Sequence, residues 1–449
     1  MTLDPSTSRA LTQRLAEEQS ICRLPSIAAG VVRDGELIWS DAIGATDGRA
    51  DGTPATTDTQ YRIGSISKTF VAVEILRLRD EGLLDLGDQV GAVLPEVTFP
   101  QITIAQLLTH TSGLQAETNG QWWERTEGGS WEALLASGVG MRSTPGTTFH
   151  YSNVGYAVLG EIVARLRGVP WSEAVRIGIL ESLGMTRTTT RPNSAAPGLA
   201  VHPLADLLHV EPEHDAGALA PAGQLWSTVE DLAIWAAFLG GRTADVLSAE
   251  SLTEMLRPLA VNDSPGVAWP GAHALGWQIW NVEGRRFAGH GGSMPGFLAT
   301  LRVDIETGDG VVLMTNSTSG LGTATTDLLS LLADREPIKP KVWNADASQS
   351  NHLGLVGRWY WGTYEFRLSL STDGGLVLGE LGQGRGARFK ADGDGWTGLD
   401  GYYKDEPLVA ERDGSGQVIR LVLASFIFTR TPYDPAADVP GGVDPVGWH

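Results

Sequence analysis

The sequence predicts an antiparallel β-sheet covered by helices, an α/β (α+β) sandwich, followed by a small all-β barrel. Three observations predict this. Strand pairs joined by glycine-containing turns occur at both ends of the first 336 residues, with helical patterns between them. A stiff polar segment, Glu336-Pro337-Ile338-Lys339-Pro340-Lys341, then interrupts the chain like a linker. Beyond it, short β-type runs alternate with glycine-rich turns. The expected organisation is a domain over 1–336, a linker over 337–351, and a barrel with a Pro/Gly-rich tail over 352–449. At 449 residues the chain is long enough for two domains, and 42% hydrophobic with 19% charged is a globular composition.

Each element has a local reason. Residues 27–32 and 36–42 are apolar runs around Arg33-Asp34-Gly35, so they predict a hairpin. Val71, Ile75, Leu78 and Leu83 recur near helical spacing after Ser65, with Arg77, Arg79 and Glu81 among them. Residues 153–167 predict a second helix after the Pro145-Gly146 turn. Residues 228–239 predict a third, with Ser227 as N-cap and acidic Glu230 and Asp231 in its first turn. Residues 298–304 and 311–315 flank Gly308-Asp309-Gly310 as another hairpin, and a last helix is expected over 323–333. Six barrel strands are expected, over 356–361, 364–370, 376–381, 408–412, 418–423 and 426–430. The tail, 432–449, is expected to wrap the surface or fray.

Bulk properties exclude several roles. A formal charge of −20 makes nucleic acid and anionic membrane surfaces poor partners. With one cysteine, Cys22, no intramolecular disulfide forms and no cysteine metal site is expected; Cys22 reads as a small core residue. Residues 1–20 lack a basic segment followed by an apolar core, and no run approaches a membrane span. The expectation is a cytoplasmic, soluble protein without cofactor or metal.

The most informative residue is Lys68. It is the only lysine in the first 338 residues; the others are Lys339, Lys341, Lys390 and Lys404. Arginine supplies positive charge elsewhere in that stretch. Arginine keeps its proton in proteins, whereas a buried lysine can be tuned into a base. Lys68 stands three residues after Ser65, in Ser65-Ile66-Ser67-Lys68, which pairs a nucleophile with a base. A surface lysine beside a helix-capping serine is the bland alternative.

Two more motifs follow. Tyr151-Ser152-Asn153 opens the second helix. A phenol beside a lysine ammonium is expected to ionise more easily and to take the proton of Ser65 Oγ. Asn153 offers both a donor and an acceptor to a peptide-like substrate. His290-Gly291-Gly292-Ser293 precedes the strand at Leu298, and its glycines let a substrate backbone approach a strand edge. Taken singly, each has a structural reading: a buried aromatic at a helix start, or a glycine-rich turn with a surface histidine.

The ordered set Ser-x-x-Lys, Tyr-x-Asn, His-x-Gly resembles the penicillin-binding-protein and class C β-lactamase superfamily of serine hydrolases, over roughly residues 10–335. Leu107-Leu108-Thr109-His110-Thr111-Ser112-Gly113-Leu114 and Ala220-Pro221-Ala222-Gly223-Gln224-Leu225-Trp226-Ser227-Thr228 are similar too. The resemblance implies a β-lactamase/transpeptidase-like fold with Ser65 as acylated nucleophile and Lys68 and Tyr151 sharing acid/base work. Asn153 would bind the substrate amide. The N–H groups of Ser65 and Ser293, beside Gly292, would form the oxyanion hole. Many members carry Lys-Thr-Gly where this chain has His290-Gly291-Gly292, and histidine is a weaker, pH-dependent carboxylate anchor. β-Lactamase activity is therefore put in doubt. The barrel resembles a lipocalin-like domain, and the layout is similar to the penicillin-binding-protein-type thioesterases. That implies release and head-to-tail macrocyclisation of a nonribosomal peptide with a D-residue at its C-terminus. The peptidyl substrate would arrive as a phosphopantetheine thioester on a carrier protein. A D-stereospecific peptidase or esterase, and an acylating peptide sensor without turnover, are the alternatives. Trp122, Trp123 and Trp131 lie in a loop that either lines the substrate pocket or simply packs.

Overall fold

The computed structural model describes residues 3–263, 266–269, 271–379, 384–434 and 438. The chain forms two compact units, Met1–Ile338 and Lys339–His449.

In the first unit the strands are β1 (Ser26–Arg33), β2 (Glu36–Gly44), β3 (Ala260–Val261), β4 (Gly271–His273), β5 (Gln278–Val282), β6 (Arg285–Met294), β7 (Phe297–Asp304) and β8 (Gly310–Thr315). They make one sheet in the order β2-β1-β8-β7-β6-β5-β4-β3, every pair antiparallel. The first hairpin closes on Asp34 and Gly35, both at positive φ, the geometry whose twist matches flanking strands. β1 and β8 are buried on both faces, which explains their continuous apolar runs. Ile27, Ala29, Val31, Val311 and Leu313 face a layer made by α1 (Pro5–Ile21) and α5 (Ala324–Arg335). Ala28, Val32, Val312 and Met314 face the opposite, larger core. There lie α2 (Ser67–Asp80), α3 (Asn153–Arg167) and α4 (Val229–Leu239).

α2 departs from the amphipathic pattern expected. It is buried all round, except near its C-terminal end, and Leu83 lies past that end at the surface. Its one buried carboxylate, Glu74, is held by Arg77 at 2.9 Å and by Arg167 of α3 at 2.6 Å. Pairing offsets part of the cost of burying that charge and ties the two helices together. α4 is capped by Thr228, which accepts from Asp231 N–H, and not by Ser227. Ser227 instead pairs with Tyr61 in a two-stranded ladder leading into the Ser65 turn. α1 was not expected, because only Leu11 and Leu15 supply a narrow apolar stripe; Asp4 and Pro5 start it as cap and first-turn residue. Cys22 is half-buried and packs against the edge of the core between the sheet and α1, with Sγ 3.2 Å from Glu18 Oε1.

His290-Gly291-Gly292-Ser293 lies within β6 and does not form a turn before a strand. A β-carbon at Gly289 would meet the Leu301 carbonyl at 1.9 Å, so the glycine there allows β7 to pack closely.

The second unit is a closed eight-stranded barrel: β9 (Gly357–Trp361), β10 (Tyr364–Leu370), β11 (Leu376–Leu378), β12 (Ala387–Asp392), β13 (Gly395–Gly398), β14 (Pro407–Arg412), β15 (Val418–Leu423) and β16 (Phe426–Thr429). β12 and β13 were not expected, since the charged run Lys390–Asp394 masks their alternation. The strand expected to reach residue 381 ends at Leu378, and 380–383 lie outside the described residues. So does most of the tail. Inward side chains including Trp359, Leu368, Phe389, Trp396 and Phe428 fill the barrel. Among the described residues no helix is long and apolar enough to cross a membrane.

Candidate active site

Tyr61–Arg62 runs into a single 3-10 turn, Gly64–Ile66, which feeds α2. From Thr59 to Leu76 every residue is buried except Ser65, which is partly open. The turn thus projects one hydroxyl from an otherwise closed segment. Ser67 Oγ accepts from Leu225 N–H at 3.0 Å and holds the start of α2 in place.

Lys68, one turn along α2, is fully buried. Its Nζ lies 2.8 Å from Ser65 Oγ and donates to the Ala222 carbonyl at 2.7 Å. Among the described residues no carboxylate touches it. Burial brings its pKa down to about 7, against smaller opposing effects of the more distant Glu117 and Glu124. Near neutral pH much of Lys68 is therefore the free amine.

Tyr151 sits just before α3 with its hydroxyl hydrogen-bonded to Ser65 and its ring 5.0 Å from Lys68 Nζ. The expectation that lysine ionises this phenol is reversed. Burial raises the Tyr151 pKa well above its ordinary value, with the Ser65 hydrogen bond only partly opposing it. In the resting site lysine is thus the group able to accept a proton, and tyrosine keeps its own. His110, at positive φ, stacks on the Tyr151 ring at 4.1 Å and accepts from Ser152 N–H at 3.0 Å. Burial holds it neutral, and so does the neighbouring positive charge.

β6 brings the third motif against the serine turn. A β-carbon at Gly64 would lie 2.5 Å from Ser293 N, and one at Gly292 would lie 1.9 Å from the Ile63 carbonyl and 3.2 Å from Ser65 N. The N–H groups of Ser65 and Ser293 thus stand side by side, the arrangement an oxyanion hole needs. His290 is buried, 6.3 Å ring to ring from Tyr151, with Nδ1 2.5 Å from the Gly291 carbonyl. Burial, chiefly, brings its pKa down to about 3. It is a neutral ring at ordinary pH and carries no charge for the anchoring role expected of it.

Asn153 Nδ2 donates to Glu117 Oε1 at 2.7 Å, which leaves its carbonyl oxygen for a substrate N–H. Glu117 Oε2 accepts from Trp123 Nε1 at 2.7 Å. Trp123 is therefore beside the site: a β-carbon at Gly223 would lie 3.7 Å from its ring and 3.8 Å from the Gly64 carbonyl carbon. Trp131 is buried on Glu96, and Trp122 is exposed on Glu124. Glu117, His110 and Ala222 were missed as site residues. Glu117 and His110 lie just after or within the Leu107–Leu114 segment and Ala222 within Ala220–Thr228, and the family likeness of those two segments was the available signal.

The motif residues are thus gathered around Ser65: Lys68, Tyr151 and Asn153 from two helix starts, Gly292 and Ser293 from one strand, with His290 behind. Since Glu117 raises the Lys68 pKa, Glu117→Gln is expected to lower it further. The rising limb of kcat/KM for an uncharged ester such as p-nitrophenyl acetate then shifts to lower pH, and an unmoved limb contradicts this.

A beta-lactamase family model matches residues 10–334, and a domain of unknown function matches 348–430. Penicillin-binding protein 4 of Amycolatopsis lactamdurans is 29% identical over 321 residues, 65% of this chain and 81% of that protein. Esterase EstB of Burkholderia gladioli is 33% identical over 208 residues, 41% of this chain and 49% of the esterase, so the match spans about half of that relative. The crystal structure of a D-stereospecific amidohydrolase from Streptomyces aligns with TM-score 0.59 at 26% identity, covering 74% of this chain and 99% of that one. On the matched 10–334 segment, which carries all three motifs, the chain belongs to the beta-lactamase family, as a member of serine-hydrolase type.

Proposed function

We propose that the chain is a D-stereospecific serine hydrolase of amides and esters that acts through an acyl-Ser65 intermediate. The observation that carries this is the buried Lys68 amine, 2.8 Å from a serine hydroxyl that alone reaches the surface. The amine removes the Ser65 proton as Oγ attacks the acyl carbon, and the Ser65 and Ser293 N–H groups receive the developing oxyanion. Tyr151, protonated and bonded to Ser65, then donates to the leaving group and is reprotonated by Lys68. Water enters by the reverse path. Asn153 O faces the substrate amide, and the exposed Glu117 carboxylate beside it suits a free α-ammonium group. The likeness to the Streptomyces amidohydrolase supports the D preference, and that to the Burkholderia esterase supports ester substrates.

The test offers D- and L-phenylalanine amide and their methyl esters to the wild type and to Ser65→Ala. D substrates are expected to be hydrolysed at least about tenfold faster by kcat/KM, with no turnover in the variant. Equal use of L substrates refutes the stereochemistry, and turnover by Ser65→Ala refutes the mechanism. Tyr151→Phe is expected to lose about 10²-fold or more in kcat, most for amides, whose leaving amine needs the proton. A loss confined to KM contradicts that role.

A second reading has its own support. Glu117 would equally position a substrate's own amine for attack on the acyl-enzyme. The chain would then close a peptidyl thioester, delivered on a phosphopantetheine carrier protein, head to tail. A peptide thioester with a D-residue at its C-terminus and a free N-terminal amine separates the two: cyclic product supports closure, and linear acid alone rejects it.

A further inference from the structure

Tyr61 and Arg62 form a short ladder with Ser227 and Trp226, residue opposite residue. Successive side chains along such a ladder point to opposite faces. Tyr61 turns to Ser26, with the two hydroxyl oxygens 2.9 Å apart, while Arg62 and its partner Trp226 share the other face. There they line a cavity of about 700 Å³, a size that suits a small molecule. Phe297, edge-on to Trp226 at 5.1 Å, continues the apolar wall with Pro197 and Val210. Ser65, Lys68, Tyr151 and Ser293 are not among the walls, so the cavity is distinct from the acylation site.

Two features separate this cavity from a packing gap. The first is Arg62. Among the described residues two arginines are buried, Arg33 and Arg62. Arg33 is held by Asp309 at 2.6 Å, and Arg62 has no ion pair among the described residues. Arg62 Nη2 donates to Gln224 Oε1 at 2.7 Å and Nε to the Gly223 carbonyl at 3.4 Å. Nη1 has no acceptor among the described residues, and it is not sealed from solvent as Arg14 Nη1 is. Burial, chiefly, brings the Arg62 pKa down to about 10, so at neutral pH a full charge faces the cavity with no counter-ion in contact. Such a charge is costly, and a carboxylate, which can be received bidentately, relieves it best.

The second feature is the acidic mouth. Glu213 lines the cavity, is exposed, and acts on Arg62 through space without touching it. Asp215 and Glu124 act on Arg62 in the same way but are not among the walls. Glu211, the other carboxylate of the wall, is already paired with Arg125 at 2.5 Å. Ser194 and His209 are the remaining polar side chains there. A ligand that spans from Arg62 to Glu213 thus carries a carboxylate and an ammonium group close together. The edge-on rings of Trp226 and Phe297 offer faces and edges on which a third ring packs.

We infer that this cavity binds a free α-amino acid with an aromatic side chain. Its carboxylate sits on Arg62, its ammonium group faces Glu213, and its ring lies against Trp226 and Phe297. This holds whatever Ser65 acylates, since none of the acylating residues lines the cavity.

The experiment uses the full chain carrying Ser65→Ala, so that no probe is turned over. Racemic phenylalanine, 3-phenylpropionate and racemic phenylalaninamide are titrated by calorimetry. Phenylalanine is expected to bind at least about tenfold more tightly than 3-phenylpropionate, which lacks the ammonium group. Glu213→Gln is expected to remove that difference. Val210 is exposed at the mouth, and Val210→Trp fills it. That variant is expected to bind phenylalanine at least about tenfold more weakly. Its affinity for phenylalaninamide, which has no carboxylate for Arg62, is expected to stay as in the parent. In the chain that keeps Ser65, Val210→Trp is expected to hydrolyse p-nitrophenyl acetate at the parent rate; should that rate fall, Glu213→Gln decides alone. Absence of phenylalanine binding overturns the proposal, as does a preference over 3-phenylpropionate that survives Glu213→Gln. An unchanged phenylalanine affinity in Val210→Trp overturns it too, because the amino acid then sits elsewhere. Equal losses of phenylalanine and its amide overturn the role of Arg62.

Discussion

Arginine in place of Lys68 is expected to slow acylation of Ser65 by about 10³-fold or more, even though charge is conserved. The reason is the protonation state. Lys68 has no carboxylate in contact among the described residues and burial is the dominant influence, so its pKa falls to about 7. A guanidinium cannot give up its proton to become a base, and its fork does not fit the space of one Nζ between Ser65 Oγ and the Ala222 carbonyl. Acyl-enzyme formation, followed by intact-protein mass after mixing with an activated ester, reads the loss directly. Retention of more than about a tenth of the wild-type rate would refute the assignment of Lys68 as base. The same pKa sets a pH profile. The base form grows with pH, so kcat/KM rises through about pH 7 and levels off above it. Stability moves the same way. The unfolded chain keeps the lysine protonated up to its ordinary pKa, while the folded chain has released that proton above about 7. Between those values the unfolded state binds more protons, so the contribution of Lys68 to stability rises with pH. A Lys68→Met variant is expected to lose that part of the pH dependence in denaturant titrations, and an unchanged dependence would exclude the shift.

Gly292→Ala is the second change with a large expected effect. A β-carbon there would lie 1.9 Å from the Ile63 carbonyl oxygen, far inside contact distance. Neither partner is the end of a flexible side chain. Both are backbone, one in β6 and one at the entry to the serine turn, so the two must separate. That separation moves Ser293 N–H away from Ser65 N–H. The expected result is a fall of about 10²–10³-fold in kcat, the usual cost of losing one oxyanion donor, with KM little changed. A melting temperature lowered by several degrees is expected beside it, from about 1–3 kcal/mol of overpacking. Gly291→Ala is the control, because a β-carbon at Gly291 meets nothing within 4 Å. Equal losses in both variants would show that the motif matters for strand conformation and not for the close approach at Gly292.

The residues thus divide by what kind of information places them. Ser65, Lys68, Tyr151, Asn153, Gly292 and Ser293 were legible because acyl transfer needs particular side chains at particular offsets, and offsets are written in the chain. The same holds for the Asp34-Gly35 hairpin and for α3, whose ends are set by local capping. The charge states were not legible. Sequence placed a lysine ammonium beside a phenol and expected the phenol to ionise. Burial by side chains distant in the chain reverses this, pushing lysine down and tyrosine up. His290 was likewise expected to be a weak, pH-dependent anchor, and its burial keeps the ring neutral. Glu117 escaped notice because a carboxylate in a loop has no signature until Asn153 and Trp123 fold onto it. By itself, then, the sequence determined the fold class, the family resemblance and the set of residues that the fold gathers around Ser65. Tertiary structure alone decided which of them carry a proton, because desolvation depends on everything that surrounds a group and not on its neighbours along the chain.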